Sequence, residues 1–358
     1  MTAQPASPGG PAARGVAVAA PAGAASAQAP GRLIDRFGRV HRDLRVSLTD
    51  RCNLRCTYCM PADGLAWIPS PDLLTLEELT RVVRIGTELG ITEVRLTGGE
   101  PLIRPDVVDL VTRLAALPRA PHLSLTTNGL CLAALARPLA EAGLSRVNVS
   151  CDTLSRETFA RLTLRDRLPD VLAGIAAARD AGLTPVKVNA VLMRGVNDHE
   201  AAALLRWALA EGVQLRFIEQ MPLDPQHGWN RAMMVTRAEI LDQLVRAGFR
   251  LAPVDDRGSA PAEEFAVDGG PATVGVVGSV TNPFCDACDR VRLTADGHWR
   301  SCLFAHGEAD LRALVRDGGT DEQVAAVMRG EVLRKQRAHG IDEPAFRQPE
   351  RPMSAIGG

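Results

Sequence analysis

The chain has 358 residues, a formal net charge of −1, 4% aromatic residues and eight cysteines. The length fits one large domain or two, and the near-neutral charge excludes a broad polyanion-binding surface. The scarce aromatics exclude a repeated base-stacking platform, the cysteines are too few for a disulfide scaffold, and no apolar run reaches the roughly 20 residues of a membrane span.

Residues 1–30 hold twelve Ala, five Pro, four Gly and two Ser, with Arg14 as the only charge. Such a segment has little large apolar surface to offset the entropy of ordering, so it reads as a disordered tail. It lacks the continuous apolar core of a secretory signal, and one Arg is a poor match to a transit peptide. From about residue 43, strand and helix signals alternate. Strands are expected at Leu44–Leu48, Glu93–Leu96, His122–Thr126, Arg146–Cys151, Val186–Leu192 and Leu215–Gln220. Helices are expected at Leu76–Leu89, Val107–Leu117, Leu132–Ala142, Leu168–Ala181 and Glu200–Ala210, where apolar residues recur every three or four positions. Thr75 with Glu78 has the form of a capping box, and Gly90, Gly143, Gly182 and Gly212 stand where helix C-caps belong.

Six βα units in a row imply a parallel sheet with helices outside, and six fall short of an eight-unit barrel. The expected fold is an α/β partial (β/α)6 barrel over residues 31–235, with functional residues at the C-terminal strand ends. Residues 236–358 read as a smaller C-terminal region. Val235–Ala247 is one more helix; short strands follow near Thr273–Val280 and Arg290–Thr294, then helices near Ala309–Arg316 and Glu322–Gly330. From His339 the chain looks irregular.

Cys52, Cys56 and Cys59 follow the first strand in Cys-x3-Cys-x2-Cys spacing. Cys thiolates are the usual ligands of a four-iron cubane, and three of them leave one iron open to a small molecule. A zinc site or reduced structural thiols are the alternatives, although zinc commonly takes four ligands and no His or fourth Cys lies close by. Cys285, Cys288 and Cys302 form a second triad, Cys-x2-Cys-x13-Cys. Here zinc and iron–sulfur stand level: Cys-x2-Cys is a common zinc half-site, and His298 and His306 flank Cys302 by four residues. Cys131 and Cys151 read as buried small hydrophobes.

The first triad, with Tyr58 before its last Cys, resembles that of the radical S-adenosylmethionine (SAM) superfamily. Thr97-Gly98-Gly99-Glu100-Pro101 is similar to that superfamily's glycine-glycine-glutamate motif, whose backbone meets the amino group of SAM. The string Cys285, Cys288, Arg290, Arg292, Leu293 and Cys302, with the terminal Gly357-Gly358, resembles the GTP 3′,8-cyclase family of molybdenum cofactor biosynthesis. The likeness runs from about residue 31 to the end. It includes the stretches Asn148–Leu154, Val186–Val191 and Phe217–Pro222.

The resemblance implies two 4Fe-4S clusters, a SAM-binding one on Cys52, Cys56 and Cys59 and a substrate-binding one on Cys285, Cys288 and Cys302. An external one-electron reductant would drive cleavage of SAM to a 5′-deoxyadenosyl radical. That radical would take the ribose 3′-hydrogen of GTP, and C3′–C8 closure would give (8S)-3′,8-cyclo-7,8-dihydroguanosine 5′-triphosphate. Matched to the family's motifs, Tyr58, Gly99, Ser150 and Met221 are the SAM candidates. Arg45, Arg95, Thr126, Lys187, Arg290 and Arg292 are the GTP candidates, consistent with the bidentate fit of Arg to phosphate. The Gly357-Gly358 tail is expected to enter the active site. A cyclic pyranopterin monophosphate synthase would receive the product. A monomer or homodimer is expected, with no nucleic-acid or membrane partner. Oxygen-labile clusters point to the cytoplasm. A peptide-modifying radical SAM enzyme, with more C-terminal cysteines, is the alternative within enzymes. An electron carrier or zinc-stabilised binding protein is the non-enzyme alternative.

Overall fold

The computed structural model describes residues 31–255 and 257–357. The expected tail at 1–30 and the last residue, Gly358, lie outside them. The six expected parallel strands form: β1 Asp43–Ser47, β2 Glu93–Thr97, β3 His122–Thr127, β4 Arg146–Ser150, β5 Lys187–Val191 and β6 Gln214–Ile218. The helices between them are α1 Leu76–Glu88, α2 Val107–Ala115, α3 Leu132–Glu141, α4 Arg156–Thr163, α5 Leu168–Asp180 and α6 Ala201–Glu211. The Thr75–Glu78 capping box is made, with Thr75 Oγ1 accepting from Glu78 N at 3.2 Å. The four glycines after α1, α3, α5 and α6 all have positive φ. Helix α4 was absent from the sequence expectation; its polar face is long and its apolar stripe is Phe159 and Leu162 alone.

The remaining elements are α7 Arg237–Arg246, β7 Leu251–Pro253, β8 Glu263–Val267, β9 Thr273–Val277, β10 Arg290–Leu293, β11 His298–Arg300, β12 Ala309–Asp310, α8 Leu311–Arg316, α9 Asp321–Leu333 and α10 Met353–Ile356. Ala309–Asp310, expected at the start of a helix, is a strand paired with β11; Asp310 instead caps α8 by accepting from Ala313 N. The chain beyond His339 is irregular only as far as α10. No helix among the described residues is long and apolar enough to cross a membrane.

The strand order is β12-β11-β10-β1-β2-β3-β4-β5-β6-β9-β8-β7. Two C-terminal strands extend the parallel core: β10 pairs parallel with β1, and β9 pairs parallel with β6. The sheet therefore contains eight consecutive parallel strands rather than six. All eight border one common cavity, so the sheet curves round it, yet β9 and β10 do not pair and it stays open.

Side-chain alternation then sorts the residues. One set packs outward beneath the helices: Leu44 and Val46, Val94 and Leu96, Leu123 and Leu125, Val147 and Val149, Leu215 and Phe217, all essentially fully buried. The alternate set lines the interior and is polar. It includes Arg45, Arg95, Thr126, Asn148, Ser150, Asn189, Arg216, Arg290 and Arg292. A packed barrel interior would carry branched apolar residues here. This one carries charge, so it is a binding cavity.

Candidate active site

The cavity measures about 330 Å³ and opens at the C-terminal ends of the parallel strands, where the loop bearing Cys52, Cys56 and Cys59 follows β1. All three cysteines border it, as do Tyr58, Gly99, Ser150 and Met221. The glycine pair after β2 is explained by close approach. A side-chain carbon at Gly98 would lie 2.5 Å from the Thr49 carbonyl oxygen, and one at Gly99 would run into the carbonyls of Arg51 and Asp50. The backbone of the pair thus packs directly on the base of the cysteine loop. Gly99 N donates to Thr49 O at 2.7 Å, and Glu100 N to Arg51 O at 2.8 Å. Glu100 ties in the next strand end: its carboxylate accepts from Leu102 N, Thr127 Oγ1 and Asn128 N.

The three cysteines form no disulfide and lie close enough to influence one another. Burial, with the neighbouring Cys52 and Asp152, pushes the Cys59 thiol up to about 12; burial and Cys59 push Cys56 well above the ordinary thiol range. Three half-buried thiols that resist ionisation together suit a cationic cluster that takes up their charge on binding. Tyr58 donates from its hydroxyl to Asp152 Oδ2 at 2.7 Å, and Asp152 Oδ1 accepts from Val191 N at 2.9 Å. The cysteine loop is thereby bolted to the ends of β4 and β5. Asp152 was not singled out from sequence, although it lies inside the quoted Asn148–Leu154 stretch.

Deeper in the cavity the strands bring cations into register. Arg45 stands beside Arg292 on one neighbouring strand and beside Arg95 on the other. Adjacent like charges across strands oppose folding. Only part of this charge is balanced internally. Asp43 accepts two hydrogen bonds from Arg45, at 3.1 and 2.9 Å, and lies 3.4 Å from Arg290. Burial favours a protonated Asp43, but Arg45 and Arg290 overcome it and hold the carboxyl well below its usual range. Arg216 pairs with Glu264 at 3.2 Å. Among the described residues Arg95, Arg292 and Lys187 make no ion pair. Burial and the neighbouring Arg45 pull Arg292 down to about 9, and a guanidinium there still carries its charge at neutral pH. The buried Nε atom of Arg216 has no hydrogen-bond acceptor, and that of Arg290 has only the Asp43 carboxylate at 3.4 Å. Buried donors left this poorly paired favour an anionic partner.

Lys187 is the one GTP candidate outside the cavity lining. It pairs in register with Asn148 and Gln214, one step below Asn189, and lies near Arg216, Arg146 and Arg95. Burial and Arg216 lower it to about 8. Asp43 and Arg216 were missed in the sequence. Both were legible by alternation, being two residues before Arg45 and flanked by Leu215 and Phe217.

The second triad lies behind β10. Arg290 Nη1 donates to Cys288 Sγ at 3.8 Å, and both Cys288 and Cys302 act electrostatically on Arg292. Arg290 and Arg292 thus join this triad to the cavity. Cys285 and Cys302 border a separate outer cavity of about 780 Å³. Burial raises Cys285 to about 11. Cys288 goes the other way: burial would raise it, but Lys335 and Arg290 bring it down. His298, a candidate fourth zinc ligand, is engaged with Asp296, Glu308 and Arg351, and His306 is exposed. Among the described residues no three His, Cys, Asp or Glu side chains close round a single ion. Cys151 is in the core as expected, whereas Cys131 is only half-buried before α3 and accepts from Asn53 Nδ2 of the first cysteine loop at 3.8 Å.

The tail completes the cavity. Met353 and Ser354 border it, Ile356 is fully buried, and Gly357 O accepts from Arg292 Nη1 at 2.5 Å. Gly357 has φ +85° and abuts Thr97 and Ser47, leaving no room for a side chain.

Known proteins agree with this layout. Residues 46–208 match the radical SAM superfamily, and residues 213–341 match the Molybdenum Cofactor Synthesis C family. A GTP 3′,8-cyclase of Streptomyces coelicolor is 60% identical over 329 residues, covering 91% of this chain and 96% of that protein. One from Mycolicibacterium smegmatis is 55% identical, covering 94% and 95%. Among solved structures, Streptococcus suis SuiB bound to S-adenosylmethionine has a TM-score of 0.57 at 13% identity, covering 82% of this chain and 69% of that one, a likeness of fold. At these identities and coverages the chain belongs to the GTP 3′,8-cyclase family of radical SAM enzymes.

Proposed function

We propose that this chain converts GTP to (8S)-3′,8-cyclo-7,8-dihydroguanosine 5′-triphosphate, the first step of molybdenum cofactor biosynthesis. The observation that carries the reading is the row Arg292–Arg45–Arg95 across three adjacent strands, in a cavity bordered by the first cysteine triad and with Cys288 against Arg290 behind it. Its repulsion is relieved by a polyanion, and Arg suits phosphate oxygens by its planar fork. Thr126 adds a hydroxyl at the end of β3, and Lys187 adds charge from below.

Cys52, Cys56 and Cys59 would hold a 4Fe-4S cluster, and Cys285, Cys288 and Cys302 a second one. When bound, the first cluster with SAM supplies a 5′-deoxyadenosyl radical on one-electron reduction. The chain's own part is placement. Gly99 offers backbone at close range to the SAM amino group. Tyr58, held by Asp152, borders the adenine, Ser150 offers a hydroxyl to the carboxylate or ribose, and Met221 packs on the adenine. Arg45, Arg95, Arg290 and Arg292 fix the triphosphate, so that the ribose 3′-hydrogen faces SAM and the guanine faces the second triad. Such orientation converts a bimolecular encounter into an effectively unimolecular step. The tail, through Gly357, would close the cavity beside Arg292 and exclude water, and Gly358 is expected to act with it. The product would pass to a cyclic pyranopterin monophosphate synthase, and an external one-electron donor in a reducing cytoplasm would serve the clusters.

The test is anaerobic reconstitution, iron and sulfide analysis, and addition of dithionite, SAM and GTP. About eight irons per chain and GTP-dependent 5′-deoxyadenosine are expected. Four or fewer irons with no GTP consumption would refute the two-cluster reading.

A further inference from the structure

Lys335 follows α9 and is buried, with 3% of its surface exposed. Its ammonium donates to Arg290 O at 2.6 Å and to Cys288 Sγ at 3.6 Å, and approaches His41 Nδ1 at 3.5 Å. His41 is fully buried, and its other ring nitrogen lies 3.2 Å from Asp35 Oδ2. With the proton on that nitrogen, Nδ1 is free to accept from Lys335, so the four groups form one chain from Asp35 to Cys288. Asp35 is itself fixed by the backbone of Phe37 and Arg39, while Arg39 Nη1 donates to Cys285 O at 2.5 Å. The segment from Asp35 to His41 therefore braces two of the three cysteines in the second triad.

Among the described residues no carboxylate pairs with Lys335. A buried ammonium without a counter-charge is costly, and the nearest group able to supply one is the thiolate of Cys288. Hydrogen bonds to ligand sulfurs and the local charge set the potential of an iron–sulfur centre; a cationic donor stabilises its reduced, more negative form. Arg290 touches the same sulfur, but it faces the substrate cavity, where a triphosphate would compete for its charge. Lys335 lines no part of that cavity.

We infer that Lys335 is a positioning residue that sets the reduction potential of the second cluster through its charged hydrogen bond to Cys288, while its bond to the Arg290 carbonyl ties that cluster to a substrate-binding strand. This rests on the proposal that the second triad holds an iron–sulfur cluster.

The test is an EPR-monitored redox titration of full-length reconstituted protein carrying Lys335→Met or Lys335→Gln. The same substitutions are made in a full-length Cys52→Ala/Cys56→Ala/Cys59→Ala background, which isolates the second cluster. Iron and zinc are counted in every sample. The midpoint potential of the second cluster should move negative in Lys335→Met. It should move less in Lys335→Gln, which keeps a neutral donor, and the first cluster should not shift. Lys335→Gln carries the test where Lys335→Met fails to load. Iron present at wild-type potential in both variants overturns the inference alone. Failure of both folded variants to hold iron also overturns it, leaving Lys335 with a purely structural part. Zinc or no metal in the isolating background refutes the second cluster itself, and the inference with it.

Discussion

On the proposed function, Lys187 is the residue whose charge would report on the ligand. Burial and Arg216 set it at about 8 in the free chain. A triphosphate nearby favours the ammonium and pulls that value back up. GTP held beside Lys187 would bind the protonated form better, so the Lys187 contribution to affinity is level below pH 8 and falls as pH rises above it. The fall approaches about tenfold per pH unit until the ligand-bound value is reached. Calorimetry at pH 9 in buffers of different ionisation enthalpy should show proton uptake on GTP binding, and Lys187→Met should abolish its Lys187 component. Equal uptake in wild type and Lys187→Met would remove Lys187 from the site. Residue-scale chemistry was legible where it was local. The two cysteine spacings and the Arg290-x-Arg292 alternation could be read directly. Asp43 was overlooked because an acid does not announce itself in a site for an anion, although its place two residues before Arg45 put it on the same face. Lys335 carried no signal, since its sulfur contact joins positions 47 residues apart.

At the scale of elements, the turn after β2 and the loop after β1 work as one unit. The Gly99 backbone lies against the Asp50 and Arg51 carbonyls, so Gly99→Ala must push the cysteine loop away from the strand ends. The expected outcome is loss of roughly half the iron and of SAM binding, with the second cluster retained. Equilibrium dialysis with SAM and iron analysis would check it, and wild-type values for both would contradict it. The six βα units were readable because each carries its own periodic helix and alternating strand. The docking of β9 and β10 was not. Each is a strand of five residues or fewer whose partner lies far away in sequence, and nothing local states which sheet edge it joins. Helix α4 was missed for a related reason: a short apolar stripe gives weak periodicity, and packing rather than propensity secures it.

At the scale of the whole molecule, the C-terminal region does more than carry a second set of cysteines. It supplies both outer strands of the eight-strand parallel run, the two arginines that join the second triad to the cavity, and a tail that returns to β1 and β2. The overall charge of −1 conceals this, because a whole-chain sum of 41 basic and 42 acidic residues does not show where the cations converge. If the tail seals the cavity over the substrate, Gly357→Val should preserve iron content and thermal stability while lowering GTP turnover. The loss should be on the order of 100-fold, as for a misplacement of about 1 Å. Unchanged turnover would show that the tail is only packed there.

The most direct test of the central claim follows one atom. Reconstituted protein is given dithionite, SAM and GTP deuterated at the ribose 3′ position, and the 5′-deoxyadenosine formed is weighed by mass spectrometry. A cavity that sets the 3′-hydrogen against SAM predicts 5′-deoxyadenosine heavier by one deuterium, formed in step with GTP consumption. Unlabelled 5′-deoxyadenosine, with deuterium retained in the nucleotide product, would contradict it.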